Sequence, residues 1–166
     1  MKKTLMMMVL FIVPFALQAQ TKFHDVEVND AKGAVKSITV SAMGQTQKHT
    51  FTPEGKEETL KNPVYDENGY LQSAEMDAQG MTMKVSYKWE NGKVKSQTMN
   101  VMDQEMPMNF VYNEKGEIIK QTMNMMGQDM TIEFSDYKYD DKGNWISRKT
   151  SVMGQNIETP RTIEYY

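Results

Sequence analysis

The sequence predicts an all-β fold: an antiparallel up-and-down meander of about ten strands, built from tandem hairpin repeats and curved or closed into a barrel-like sheet. Three observations predict it. Two kinds of short turn element alternate along the chain, and the segments between them alternate apolar and polar residues with a period of two. After residue 20 no window carries a helical period, so strands must account for the apolar pattern.

The chain of 166 residues begins with Lys2 and Lys3, an apolar run from Leu5 to Leu17, and the small and polar Gln18-Ala19-Gln20. That order predicts a secretory signal peptide over residues 1–19. The run is shorter than the roughly 20 apolar residues of a spanning helix, and the mature chain holds no second one. A lead-in segment over 20–34 and a single β-hairpin repeat domain over 35–166 follow.

The first turn element is Met-Gly-Gln or a relative. It occurs at Met43-Gly44-Gln45, Met102-Asp103-Gln104, Met126-Gly127-Gln128 and Met153-Gly154-Gln155, with a degenerate copy at Gln79-Gly80. The second is an aromatic residue, then acidic or amide residues, then glycine: Tyr65 to Gly69, Trp89 to Gly92, Tyr112 to Gly116 and Tyr139 to Gly143, with a weaker relative at Phe51 to Gly55. Both are turn chemistry, since glycine supplies positive φ without a Cβ clash. Gly69, Gly92, Gly116 and Gly143 are each expected at positive φ.

Two-residue loops at Gly44-Gln45, Gln79-Gly80, Asp103-Gln104, Gly127-Gln128 and Gly154-Gln155 would close five hairpins. They would set Met76 opposite Met83, Met99 opposite Met108, Met123 opposite Ile132 and Ile146 opposite Ile163. A three-residue Glu90–Gly92 loop would set Met83 opposite Met99, and a four-residue Asn113–Gly116 loop Met106 opposite Met123. In each case the apolar residues of both strands share one face, which is what fixes a register. Lys84, Ser86, Lys88, Glu133, Lys149 and Thr162 then fall on a solvated face. Between Phe134 and Tyr139 the parity breaks, predicting a bulge.

The turns Tyr65-Asp66-Glu67-Asn68-Gly69 and Tyr139-Asp140-Asp141-Lys142-Gly143 resemble the YD repeats of RHS-type bacterial cell-surface and secreted proteins, over roughly Tyr65 to Tyr166. Gly143-Asn144-Trp145-Ile146 and the Arg161–Tyr165 end are similar to small secreted relatives built of the same hairpins. Trp89 stands where tyrosine is usual and Asn113 where aspartate is. The arginine that often follows the glycine is replaced by Tyr70, Lys93, Glu117 and Asn144. The resemblance implies hairpin architecture and an extracytoplasmic setting; it implies no catalytic residues.

Composition excludes several chemistries. With no cysteine, disulfides, zinc-thiolate sites, thiol catalysis and a lipidated N-terminal cysteine are out. Without the two leader lysines the charge count is 17 basic to 22 acidic, which argues against nucleic acid. Of the two histidines, His49 is expected half-buried opposite Val40 and satisfied there, with nothing nearby to orient it for catalysis. Signatures of serine hydrolases, zincins, P-loops and dinucleotide folds are missing. The turn acids Asp66, Glu67, Glu114, Asp140 and Asp141 are expected to bond their own backbone rather than to work on a glycan or hold calcium.

The sharp signal is methionine: seventeen in the chain, thirteen of them after the leader. They gather on the apolar face near the Met-Gly-Gln tips, while Tyr70, Tyr87, Trp89, Phe110, Tyr112 and Phe134 gather toward the other end. Methionine fills irregular apolar space and suits adaptable binding surfaces. Thioethers are also soft ligands, so an alternative is a periplasmic Cu(I)- or Ag(I)-binding protein using Met83, Met99, Met106, Met108, Met123 and Met125. The expectation is an exported, non-enzymatic binding or structural module, periplasmic or secreted, without cofactor. Its ligand would be a protein, peptide, lipid or glycan, and its apolar face could form a homo-oligomer.

Overall fold

A computed structural model describes residues 22–42, 44–78, 81–101, 104–125 and 128–166, the side chains of Ala78 and Met125 excepted. The expected signal peptide lies outside the described residues. The observed class is the expected one. Eleven antiparallel strands form one sheet: β1 (Val35–Ala42), β2 (Gln45–Thr50), β3 (Lys61–Tyr65), β4 (Leu71–Ala78), β5 (Met81–Glu90), β6 (Lys93–Val101), β7 (Gln104–Tyr112), β8 (Ile118–Met125), β9 (Gln128–Tyr139), β10 (Trp145–Val152) and β11 (Gln155–Tyr165). The strand order is β2-β1-β11-β10-β9-β8-β7-β6-β5-β4-β3. Five hairpins supply ten of the strands, and β3 is an eleventh that the repeat pattern does not contain.

Connectivity forbids a flat sheet. Ten interstrand steps of about 4.8 Å would set the edges roughly 48 Å apart. Yet the edge strands β2 and β3 are joined only by residues 51–60, which reach about 35 Å fully extended. That link is itself folded back, with Phe51 bridged to Glu57. The sheet therefore curls strongly, though β2 and β3 do not pair and the barrel stays open.

Residues 22–34 of the lead-in segment occupy the inside of the curl. The segment contains a short helix, α1 (Asp25–Val28), where the sequence carries no helical period. Four residues rise only about 6 Å, so tertiary contacts must hold this turn rather than its own propensity. Val26 packs with Ala31, Val35, Ile38 and Phe51 on the β1–β2 flank. Val28 packs on a second cluster of Leu71, Ala74, Val85, Tyr87 and Val94 from β4 to β6.

The turns follow two designs. At Asp66, Asn113 and Asp140 the side-chain oxygen accepts the N–H groups two and four residues on, and the glycine N–H bonds back to the first residue's carbonyl. Thr52 to Lys56 repeats the backbone pattern with a threonine hydroxyl in the side-chain role. The second design is the two-residue loop. Asn91 and Gly92 have φ of 52° and 72°, Met153 and Gly154 50° and 78°, as a type I′ turn requires. All four glycines expected at positive φ have it.

The tip loops come one residue earlier than the sequence reading set four of them. Ala42 pairs Gln45, Val101 pairs Gln104, Met125 pairs Gln128 and Val152 pairs Gln155. Glycine belongs second in such a loop, and at the β10–β11 tip the loop is Met153-Gly154 and not Gly154-Gln155; Ala78 pairs Met81, which keeps the expected pairing of Met76 with Met83. Partners move by two residues, so the faces survive: Met99 meets Met106, and Met123 meets Met130. Asn91-Gly92 likewise replaces the expected three-residue loop, with a register shift beside Trp89, so Met99 meets Val85 and not Met83; across β7 and β8 Met123 meets Met108 and not Met106. The expected bulge in β9 is present, with Asp136 at φ 52°. Beside it Trp145 takes the interior place and Ile146 stays 38% exposed, so Ile146 does not share the inner face with Ile163.

Gly69 and Gly44 share a positive φ but not an environment. A Cβ on Gly69 would lie 2.0 Å from the Lys22 carbonyl oxygen, whereas one on Gly44 meets nothing within 4 Å. In urea unfolding, Gly44→Ala is expected to cost about 1–2 kcal/mol through φ alone. Gly69→Ala should lose roughly a further 1–3 kcal/mol to overpacking; equal losses would contradict the close approach of the N-terminal segment. Met153→Asn should stabilise by up to about 1 kcal/mol, since asparagine tolerates the left-handed position, and a destabilised variant would refute the type I′ loop.

Candidate functional site

The concave face has two ends of different chemistry. Toward the tips it carries one methionine on each of six consecutive strands: Met76, Met83, Met99, Met106, Met123 and Met130, from β4 through β9, all half-buried. Met108, one row deeper, is buried. Direct cross-strand partners are Met76 with Met83, Met99 with Met106, Met108 with Met123, and Met123 with Met130. Of the residues named for a soft metal, Met99 and Met106 meet, as do Met108 and Met123. Met83 meets Met76 instead, and the Met125 side chain lies outside the described residues.

Toward the other end the N-terminal segment fills the curl through buried polar contacts. Asp25 Oδ2 accepts the Glu57 N–H and the Tyr65 hydroxyl, each at 2.8 Å. Burial pushes the Asp25 carboxyl above its usual range despite these bonds. Burial also opposes charge on Glu57, but hydrogen bonds and the charge of His49, with bonds from Thr59 and Asn29, hold it below the usual range. His49 is half-buried and satisfied as expected, its Nδ1 lying 2.6 Å from Glu57 Oε1, but it faces Ile38 rather than Val40, and Glu57 orients the ring where the sequence offered no such partner.

The opposite flank grips Asp30. Trp145 Nε1 donates to Asp30 Oδ2 at 2.8 Å, and Arg161 Nη1 donates to the carbonyls of Asn29 and Asp30 at 3.0 Å. The guanidinium carbons of Arg161 and Arg148 lie 3.6 and 4.2 Å from the Trp145 ring centre. Burial pushes the Asp30 carboxyl up, against the pull of both arginines, and draws Arg161 down to about 10. Asn144 completes the grip, its amide accepting the Lys32 N–H and donating to the Lys32 carbonyl, each at 2.9 Å. The turn acids Asp66 and Asp140 bond their own backbone, as expected.

Between this segment and the β6–β10 end of the sheet lies a half-open cleft of about 250 Å³. Its walls are Tyr112, Tyr137, Tyr139 and Trp145, and charged residues from three separate stretches of chain reach its rim. The sequence reading missed it by treating 20–34 as a lead-in. One signal was available: Arg161 shares the parity of the apolar Ile157 and Ile163, and a charge on an inner face demands a partner from elsewhere. The sequence matches no protein-family model and no curated protein.

The raised Asp25 carboxyl has a pH consequence. A folded-state pKa above the unfolded one gives stability that is complete below the unfolded value and is lost as pH rises through the folded one. Asp25→Asn removes that dependence. Thermal melts from pH 4 to 8 should therefore show the parent gaining on the variant as pH falls; a pH-independent gap would contradict a strained, buried carboxylate.

Proposed function

We propose that this is a non-enzymatic binding module, acting outside the cytoplasm, that takes an extended hydrocarbon chain against its methionine-lined concave face. The observation that carries the reading is the strip itself: one half-buried methionine on each of β4 to β9. Five interstrand steps make the strip roughly 24 Å long. A long, narrow apolar strip suits a chain better than a compact ring, and flexible, polarizable side chains let it fit more than one guest. The leader-like residues 1–19 and the resemblance of the acidic turns to YD repeats support the extracytoplasmic setting.

A second reading is favoured by the run Met108–Met123–Met130 across β7, β8 and β9. Sulfurs there could hold Cu(I) or Ag(I), and among the described residues no cluster of three histidine or acidic side chains competes for a metal.

The test titrates the mature chain with cis-parinaric acid and follows its fluorescence. Saturable binding is expected, weakened at least about tenfold in a Met99→Gln, Met123→Gln variant that still melts cooperatively. No binding by the parent, or binding indifferent to the variant, would overturn the proposal. Stoichiometric Cu(I) uptake under reducing conditions that a Met108→Leu, Met123→Leu variant loses, with no parinarate binding, would establish the soft-metal reading instead.

A further inference from the structure

We infer, building on the hydrocarbon-binding reading of the concave face, that Gln97 and Gln121 select its guest: an uncharged acyl amide, with the amide group held by these two side chains and the acyl chain laid along the methionine strip.

Two carboxamides interrupt an apolar stretch of this face. Gln97 of β6 stands opposite Tyr87 on one side and Met108 on the other. Gln121 of β8 stands opposite Phe110 and Ile132. The two flank Met108, one row deeper than the strip, since Gln121 Nε2 donates to Met108 Sδ at 2.6 Å. A thioether is a weak acceptor, and that bond leaves the Gln121 oxygen unused. The Gln97 side chain forms no hydrogen bond among the described residues. Both glutamines are half-buried. The sealed side-chain atoms without partners belong to Asp25, Glu27, Arg148 and Arg161, so the free groups of Gln97 and Gln121 are open to water. A guest that reproduces those water bonds can displace it without loss.

The surroundings fix the charge of the guest. No residue that the ladders of β4 to β9 set on this face is charged. Beside Gln97, burial together with the charges of Glu57 and Asp25 pushes the Tyr87 hydroxyl above its usual range, so the field reaching this spot from the N-terminal segment is negative. The two arginines inside the curl are committed elsewhere. Arg161 donates to the carbonyls of Asn29 and Asp30, and Arg148 lies 3.6 Å from Asp30 and is stacked on Phe134 and Trp145. A carboxylate beside Gln97 would therefore lose water without gaining a counter-ion, which is costly. An amide is neutral, and its N–H and carbonyl match groups that both accept and donate. An ester brings acceptors only and would leave the glutamine oxygens unpaired. From β6 the strip runs two interstrand steps to β4, roughly 10 Å, which seats a chain of medium length.

The probes are decanamide, methyl decanoate and ionised sodium decanoate, each titrated as a competitor against bound cis-parinaric acid. The proteins are the mature chain and a Gln97→Leu, Gln121→Leu variant. Parinaric acid reports on the strip, because its carboxylate can stay in water where the strip is open. Decanamide should displace it at a concentration at least about tenfold lower than either competitor. In the variant decanamide should weaken by a similar factor and fall behind methyl decanoate. Parinaric acid should bind the variant as it binds the parent, which certifies that the variant is folded. Decanoate matching decanamide would overturn the selection, since a cation would then be holding the head. An unchanged decanamide affinity in the variant, or displacement by none of the three, would overturn it equally. Failure of the parent to bind parinaric acid defeats the hydrocarbon reading and this selection together; saturable parinaric acid binding without preference for the amide defeats the selection alone.

Discussion

The structure depends on a short polar segment held from two sides at once. Asp25 is bonded to the link between the edge strands and to β3, and Asp30, five residues on in the same segment, to β10 and β11. The flanks it joins would lie tens of ångströms apart in a flat sheet. Burying two carboxylates is unfavourable, and their raised affinity for protons reflects it. The arrangement persists because Asp25 Oδ2 has two donors and Asp30 Oδ2 has the Trp145 donor with Arg148 3.6 Å away, and because losing one partner would strand a buried charge. Val26 and Val28 add apolar contact to both flanks, but apolar contact has little directionality. The carboxylates fix where the segment sits.

Filling one end of the curl divides the inner face by chemistry. At the filled end, aromatic rings, guanidinium groups and turn glycines meet the N-terminal segment and leave only a small polar cleft. At the other end the methionine strip is only partly buried. Methionine suits that position, since it packs loosely and adapts, where leucine or isoleucine would demand a closed partner. The outer face is largely polar and carries facing residues of opposite charge such as Lys120 with Glu133 and Lys149 with Glu158, although Val111 stays exposed beside Lys120.

The class, the hairpins and the division into two faces were legible from periodicity and turn chemistry. Gly69, Gly92, Gly116 and Gly143 have the expected positive φ, and the β9 bulge lies where parity breaks. The tip register was displaced because Met-Gly-Gln offers two candidate dipeptides, and only the rule that glycine takes the second place separates them. Neither β3 nor α1 was legible. The β3 strand is short and irregularly paired, containing Pro63 and a left-handed Asn62, and α1 is too brief to print a period. The cleft was hidden for the same reason, since its walls meet only after the sheet has curled over the segment. Of the soft-metal set, the proximity of Met99 to Met106 was implied by the shared face, whereas the expected meeting of Met83 with Met99 failed because the β5–β6 loop is two residues long and sets Met99 opposite Val85.

The most direct test of the segment as keystone is amide hydrogen exchange in an Asp25→Ala, Asp30→Ala variant against the parent, residue by residue. If the segment holds the two flanks, protection should fall together in β1 and β11 on one side and in β3 to β5 on the other, with the central β7–β8 hairpin least affected. Faster exchange confined to residues 22–33, with parent-like protection on both flanks, would contradict it: the sheet would then curl by its own twist and connectivity, and the segment would be a passenger.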